Sequence, residues 1–173
     1  MKKTLGKPIS RRTFVKATAG AAFIGATGPF ILRHGLAADP LVIGVVSPAS
    51  GNYADHGMME RLGMTMAVEE YKEKGVLGRP VKLVVEDDET DPQVGARKAR
   101  RLIEVDKVKY LIGGVSSSVA VSVGEVAQRN GALYIASNQN SDTLTEQYGR
   151  RVQFMVPPDM AMALRTLAPY LGE

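Results

Sequence analysis

Three polar segments carry the residues best suited to chemistry: Ser47 to His56, Gly113-Gly114-Val115-Ser116-Ser117-Ser118, and Ser137-Asn138-Gln139-Asn140-Ser141. Their side chains are mostly short hydroxyls and amides, which donate and accept hydrogen bonds without ionising near neutral pH. Such groups suit the recognition of a small polar molecule. A loop like Gly113 to Ser118 that follows a strand and opens a helix also offers backbone N–H groups and the positive end of a helix dipole, a seat for an anion such as a carboxylate. The plainer alternative is that the serines only cap that helix. The segment is not a nucleotide phosphate loop, because the lysine and second glycine of that motif are missing. It is not a nucleophile elbow either, because Ser116, Ser117 and Ser118 lack a Gly-x-Ser-x-Gly frame.

Catalysis and metal binding find little support. The chain has two histidines, His34 and His56, and no cysteine, which leaves no ordinary zinc ligand set. Ser117, His56 and Asp88 could be drawn as a triad, but nothing in their spacing singles them out, and no catalytic residue, metal or cofactor is assigned. His56 is expected to line a pocket or cap a helix. In the acidic run from Glu86 to Asp91, Asp87, Glu89 and Asp91 alternate as in a calcium loop. Pro92 then stands where that loop needs glycine, and Lys98 where it needs a bidentate acid. The run reads instead as a turn followed by Asp91 as helix N-cap, with Pro92 at the first helical position.

These segments must be held by a scaffold, and the hydropathy pattern supplies one. Strands are predicted at residues 41–46, 81–85, 110–112, 132–136 and 152–156 from their β-branched apolar runs. A first helix is predicted to start between His56 and Met59 and to run to Lys74, with Met59, Leu62, Gly63, Met66, Ala67 and Tyr71 packed on a sheet. Gly75 is placed to stop it. A second helix after Asp91 turns Ala96, Ala99, Leu102 and Ile103 inward and Arg97, Lys98, Arg100 and Arg101 outward, a basic face read as solvated. A third buries Val119, Val123, Val126 and Ala127 and ends near Asn130-Gly131, and a last one covers Asp159 to Leu171. Alternating strands and helices define an α/β fold, an open parallel sheet flanked by helices. In such sheets ligands bind beyond the carboxyl ends of the strands, where strand order reverses, and that rule selects the three polar segments.

The charge is lopsided. Seven basic residues and no acidic ones precede Ala38, which leaves fifteen basic against eighteen acidic residues in the remainder. The basicity therefore belongs to the first segment, and no basic face with interleaved aromatics remains for nucleic acid. Ser10-Arg11-Arg12-Thr13-Phe14-Val15-Lys16 resembles a twin-arginine export motif. A mildly apolar stretch from Ala17 to Leu32 follows, interrupted by Gly20, Gly25, Gly28 and Pro29, and then Gly35-Leu36-Ala37 with small residues at both ends. Residues 1–37 are thus expected to be a signal peptide read through Arg11 and Arg12 by the twin-arginine translocase and cleaved after Ala37. The mature protein is then expected in the periplasm.

Taken in order, several motifs resemble the leucine/isoleucine/valine-binding family of periplasmic solute receptors. They are the opening strand with Ser50-Gly51 and Gly57, the Asp87-Asp88 pair with Asp91-Pro92, the strand into Gly113 with Ser116-Ser117-Ser118, and Leu144-Thr145. The resemblance implies a type I periplasmic-binding-protein fold, with residues 38–156 as a partial N-terminal lobe. Residues 157–173 would be a hinge at Pro157-Pro158 and the start of an incomplete second lobe. It implies a substrate-binding protein of an ABC transporter that works with permease and ATPase subunits and is not an enzyme. A sensory ligand-binding domain of the same fold is the second reading, and an exported α/β hydrolase the third. Carried over by position, Ser117 would bind a ligand carboxylate, with Val115 and Ser116 on the same wall. Asn138 and Asn140 would face a ligand amino group, with Gln139 between them, and His56 would stand where relatives have an aromatic residue, with Tyr53 nearby. Asparagine in place of a threonine hydroxyl changes the donor and acceptor set, so amides and small carboxylates join amino acids as candidate solutes. A chain of this length lacks the opposing wall of the site and is expected to bind solute weakly on its own.

Overall fold

The computed structural model describes residues 39–171. Arg11, Arg12 and the stretch up to Ala37 lie outside the described residues. Five strands form a single sheet: β1 (Leu41–Val46), β2 (Val81–Glu86), β3 (Tyr110–Ile112), β4 (Leu133–Ala136) and β5 (Gln153–Met155). Between and after them run α1 (Ala54–Glu70), α2 (Pro92–Glu104), α3 (Ser117–Asn130), a 3-10 turn (Asp142–Leu144) and α4 (Met160–Leu171). The strand order is β2-β1-β3-β4-β5, and every neighbouring pair is parallel. All five carboxyl ends therefore open on one edge. Strand order reverses between β1 and β3, the place where a ligand crevice forms in sheets of this kind.

The sheet has two unequal faces. On one, α2 and α3 pack against each other and against the strands, burying Ala99 and Leu102 of α2 and Val119, Ala120, Val123 and Ala127 of α3 against Val46, Leu111 and Tyr134. The inward residues anticipated for α2 and α3 all fall on this side. The crossover from β1 to β2 runs in the direction opposite to the later ones, so right-handed connections set α1 on the other face. There the alternate residues Val85, Tyr110 and Phe154 keep 47%, 44% and 55% of their surface exposed. A groove of about 340 Å³ beside them is lined by Leu41, Ile43, Val76, Leu77, Ile112 and Ile135.

Helix α1 corrects the sequence reading. The stripe of Met59, Leu62 and Met66 expected to pack on the sheet faces solvent, with 64%, 55% and 65% exposure, and Tyr71 lies beyond the helix end and is exposed too. The inward side is one residue further round: Gly57 is buried, and Glu60, Arg61, Met64 and Val68 are half-buried. The period was right and the phase was wrong. Apolar residues surround this helix, so hydropathy does not choose a side. Contact does: a Cβ on Gly57 would lie 1.9 Å from the Pro48 carbonyl oxygen, so only glycine lets α1 come this close to the loop after β1. The helix ends at Glu70 and not at Lys74, and Gly75 closes the following turn by donating to the Tyr71 carbonyl at 2.7 Å.

Helix α2 starts as its sequence implies. The Asp91 carboxylate accepts from the N–H groups of Gln93 and Val94 at 2.8 and 2.9 Å, with Pro92 in the first turn. Its basic face is only partly solvated, because Lys98 and Arg101 both reach Glu86 at the end of β2, at 2.7 and 2.6 Å. Among the described residues no helix is long and apolar enough to cross a membrane.

Candidate functional site

The loop after β1 is shaped by Asp87. Its carboxylate accepts from the N–H groups of Ala49 and Ser50 at 2.8 and 3.3 Å, from the Ser50 hydroxyl at 2.8 Å, and from the N–H of Glu89 at 2.9 Å. Burial works against the charge, but these bonds outweigh it and hold the Asp87 carboxyl below its ordinary value. The acidic run is therefore used in loop construction and in the α2 cap. No group of three or more metal-ligating side chains occurs among the described residues.

The loop after β3 turns on two glycines in the left-handed region, Gly113 at φ 114° and Gly114 at φ 96°. A Cβ on Gly114 would lie 2.3 Å from the Gln139 amide nitrogen, so this loop tolerates no side chain there. Beneath it, the Tyr134 hydroxyl donates to the Gly113 carbonyl at 2.9 Å, and the Gln139 amide donates to the same carbonyl at 3.1 Å and to the Tyr134 oxygen at 3.3 Å. Burial pushes the Tyr134 phenol far up, so it stays a neutral donor. Gln139 is 1% exposed, and its carbonyl accepts from the N–H of Asn138 at 3.3 Å. It was expected to line the ligand wall between the two asparagines, but its amide is spent on holding the two loops together.

Of the remaining site residues, His56, Asn138 and Ser117 line two cavities at the carboxyl edge. One, of about 350 Å³, is lined by Asp55, His56, Met59, Glu60, Ser137 and Asn138. Tyr53 sits beside it, its ring edge-on to His56 with centroids 6.0 Å apart. The other, of about 510 Å³, takes in Ser117, Ser118, Ser122, Ser141, Thr143 and Tyr148. The structure thus brings His56 together with Asn138, and Ser117 together with Ser141, but not both pairs in one cavity. Val115 and Ser116 are half-buried at the entry to α3, and Asn140 is exposed, its carbonyl accepting from the N–H of Met160 at 2.8 Å. Ser116 occupies the N-cap position of α3 yet makes no capping bond through its side chain. Its hydroxyl meets that of Ser118 at 2.9 Å, so the serines are not consumed in capping the helix.

Sequence reasoning missed Glu60. Its carboxylate accepts from the Gly114 N–H at 3.3 Å and from the Ser137 hydroxyl, so it touches both later loops from α1. The signal was present: Glu60 lies four residues after His56, one helical turn on the same side.

A parallel lobe with polar loops gathered at its switch point defines a class of ligand-binding α/β domain. Comparison with known proteins places it further. Residues 40–173 match the family model described as periplasmic binding protein, and the chain belongs to that family. It is 32% identical over 113 residues to the Leu/Ile/Val-binding protein BraC3 of Rhizobium johnstonii, covering 65% of this chain and 30% of that protein. It is 30% identical over 115 residues to a leucine-, isoleucine-, valine-, threonine-, and alanine-binding protein of Pseudomonas aeruginosa, covering 66% and 31%. Among solved structures it is similar to the leucine binding protein LivK of Thermotoga maritima, with a TM-score of 0.66, 28% identity, and coverage of 76% of this chain and 38% of that one. A similar match is the substrate-binding protein of Desulfitobacterium hafniense in complex with Leu, with a TM-score of 0.68, 27% identity, and coverage of 77% and 38%. The chain spans about a third of the length of these relatives.

Proposed function

We propose that this chain is part of a periplasmic solute receptor of an ABC transporter, one that binds an amino acid or related small polar solute and does not transform it. The observation that carries the reading is the convergence of three polar loops at the carboxyl edge of the sheet, beside the reversal of strand order. The polarity is graded along that edge. Asp55 and Glu60 present acceptors in one cavity, while the start of α3 and the hydroxyls of Ser117, Ser118 and Ser141 present donors in the other. A guest that bridges the two cavities, with a donating nitrogen towards the first and an accepting oxygen towards the second, suits that arrangement. The named binding of leucine, isoleucine and valine by relatives supports the amino-acid end of the range. Ser117, Ser116 and Val115 would bind the acidic end of the guest, and His56, Tyr53, Asn138 and Asn140 the other end, while Gln139 supports them from below.

Export through Arg11 and Arg12 by the twin-arginine translocase, cleavage after Ala37, and delivery of the solute to a permease driven by an ATPase complete the reading. Residues 38–156 would be the partial N-terminal lobe, and Pro157-Pro158 the crossing towards a second. Calorimetry of the longest gene product against amino acids, amides and small carboxylates tests it. Ser117→Ala should weaken binding of the preferred solute about tenfold, the order expected for one hydrogen bond to a charged group. Turnover of any solute that is abolished by Ser117→Ala or His56→Ala would refute the receptor reading.

A further inference from the structure

We infer that Glu60 is a positioning residue for this site, fastening the loops after β3 and β4 to α1 and so setting the width of the cavity that a guest enters. Its importance for binding rests on the solute-receptor reading, whereas the geometry stands by itself. Glu60 Oε2 accepts from the Gly114 N–H at 3.3 Å, and Oε1 accepts from the Ser137 hydroxyl, partners 54 and 77 residues further along the chain. The next residue, Arg61, donates to the Pro48 carbonyl at 2.7 Å and to the Ser47 hydroxyl at 3.3 Å, which holds the loop after β1. Two consecutive side chains of one helix therefore hold all three polar loops.

Two further observations make Glu60 decisive. First, α1 is weakly held by apolar packing, since its methionine stripe faces solvent and Gly57 is its one buried residue. Beside the close approach of Gly57 to Pro48, the polar contacts of Glu60 and Arg61 then hold the helix against the loops. Second, among the described residues no lysine or arginine forms an ion pair with Glu60. Its charge is met by the Gly114 N–H and the Ser137 O–H, and bonds of that kind to an ionised acceptor are the stronger ones. The side chain also lines the cavity of about 350 Å³, so any change in its position changes the space for the guest.

Amide exchange on the ligand-free chain, read with Glu60→Ala and Glu60→Gln, tests this without a solute. Alanine is the better helix former, so its effect cannot be attributed to a weakened α1. Glutamine can still accept from Gly114 and donate to Ser137, because a serine hydroxyl accepts as well as donates. Glu60→Ala should speed exchange at Gly114 and in residues 137–141 by about tenfold or more, with β2 and α2 unchanged, and Glu60→Gln should restore most of the protection. Unchanged exchange at Gly114 in Glu60→Ala, a uniform rise across the sheet, or no recovery in Glu60→Gln would each overturn the proposal. Calorimetry on the longest gene product supplies the second readout. A solute affinity untouched by Glu60→Ala, despite loosened loops, would show that Glu60 does not set the site. If the unaltered protein binds no solute, the receptor reading falls, and the exchange experiment still decides the role of Glu60.

Discussion

Asp88 is a costly group to bury in this lobe. It is 1% exposed, and only one of its oxygens is bonded, accepting from the Thr90 N–H at 2.8 Å, while Oδ2 has no partner among the described residues. Burial pushes its carboxyl up to about 6, and the charges of Asp87 and Glu60 add to that, against the Thr90 bond and Arg61, which pull it down. A carboxyl whose folded value exceeds its unfolded value of 3.8 binds more protons when folded, so its cost is absent below about pH 4 and complete above about pH 6. Stability should therefore fall as pH rises through that window. Asp88→Asn keeps the acceptor for Thr90 and removes the charge, so it should gain roughly 2 kcal/mol near pH 7.5 and nothing near pH 4. Urea unfolding at several pH values measures this, and equal stability of the two proteins at pH 7.5 would contradict it.

At the scale of elements, α1 carries the sharpest test, because two glycines of the same helix have opposite surroundings. Gly57 lies against the Pro48 carbonyl, where an added Cβ would sit at 1.9 Å, whereas Gly63 has nothing within 4 Å of that position. Gly63→Ala should stabilise by about 0.5–1 kcal/mol through helix propensity alone. Gly57→Ala gains the same propensity but must push α1 off the loop after β1, and overpacking of that kind costs about 1–3 kcal/mol. It should lower the melting temperature and also loosen the contacts of Glu60 and Arg61. Thermal unfolding of the pair checks the contrast. Two substitutions of the same sign would mean that α1 is not seated against Pro48.

For the whole molecule, the asymmetry of the sheet matters most. The face under α2 and α3 is a closed apolar core, while the opposite face leaves Val85, Tyr110 and Phe154 substantially exposed beside an apolar groove. Among the described residues these apolar side chains stay exposed, and exposed apolar surface favours association. The 173-residue chain should bind a dye such as anilinonaphthalene sulfonate and self-associate as its concentration rises. The double substitution Tyr110→Thr with Phe154→Thr should reduce both, with the β-branched residue preserving strand propensity. Dye fluorescence and sedimentation report the outcome, and a monomeric chain that binds no dye would mean that this face is covered in solution.

Much of this was legible in the sequence because it depends on local chemistry. The five strands begin and end within a residue of the apolar runs that predict them, the inward residues of α2 and α3 follow from helical spacing, and Asp91-Pro92 announces the start of α2. The polar loops were recognisable as well, since parallel strands bring their carboxyl ends to one edge whatever the side chains. Three things waited for the tertiary structure. The inward side of α1 is set by a backbone contact at Gly57, because its apolar residues point in every direction. Gln139 looked like a neighbour of the ligand until burial showed its amide committed to Gly113 and Tyr134. Glu60 drew no attention in the sequence, because its spacing from His56 shows only that the two share a side of the helix. Its role arises from groups 54 and 77 residues away, and contacts of that range are decided by how the helix docks, not by the residues beside it in the chain.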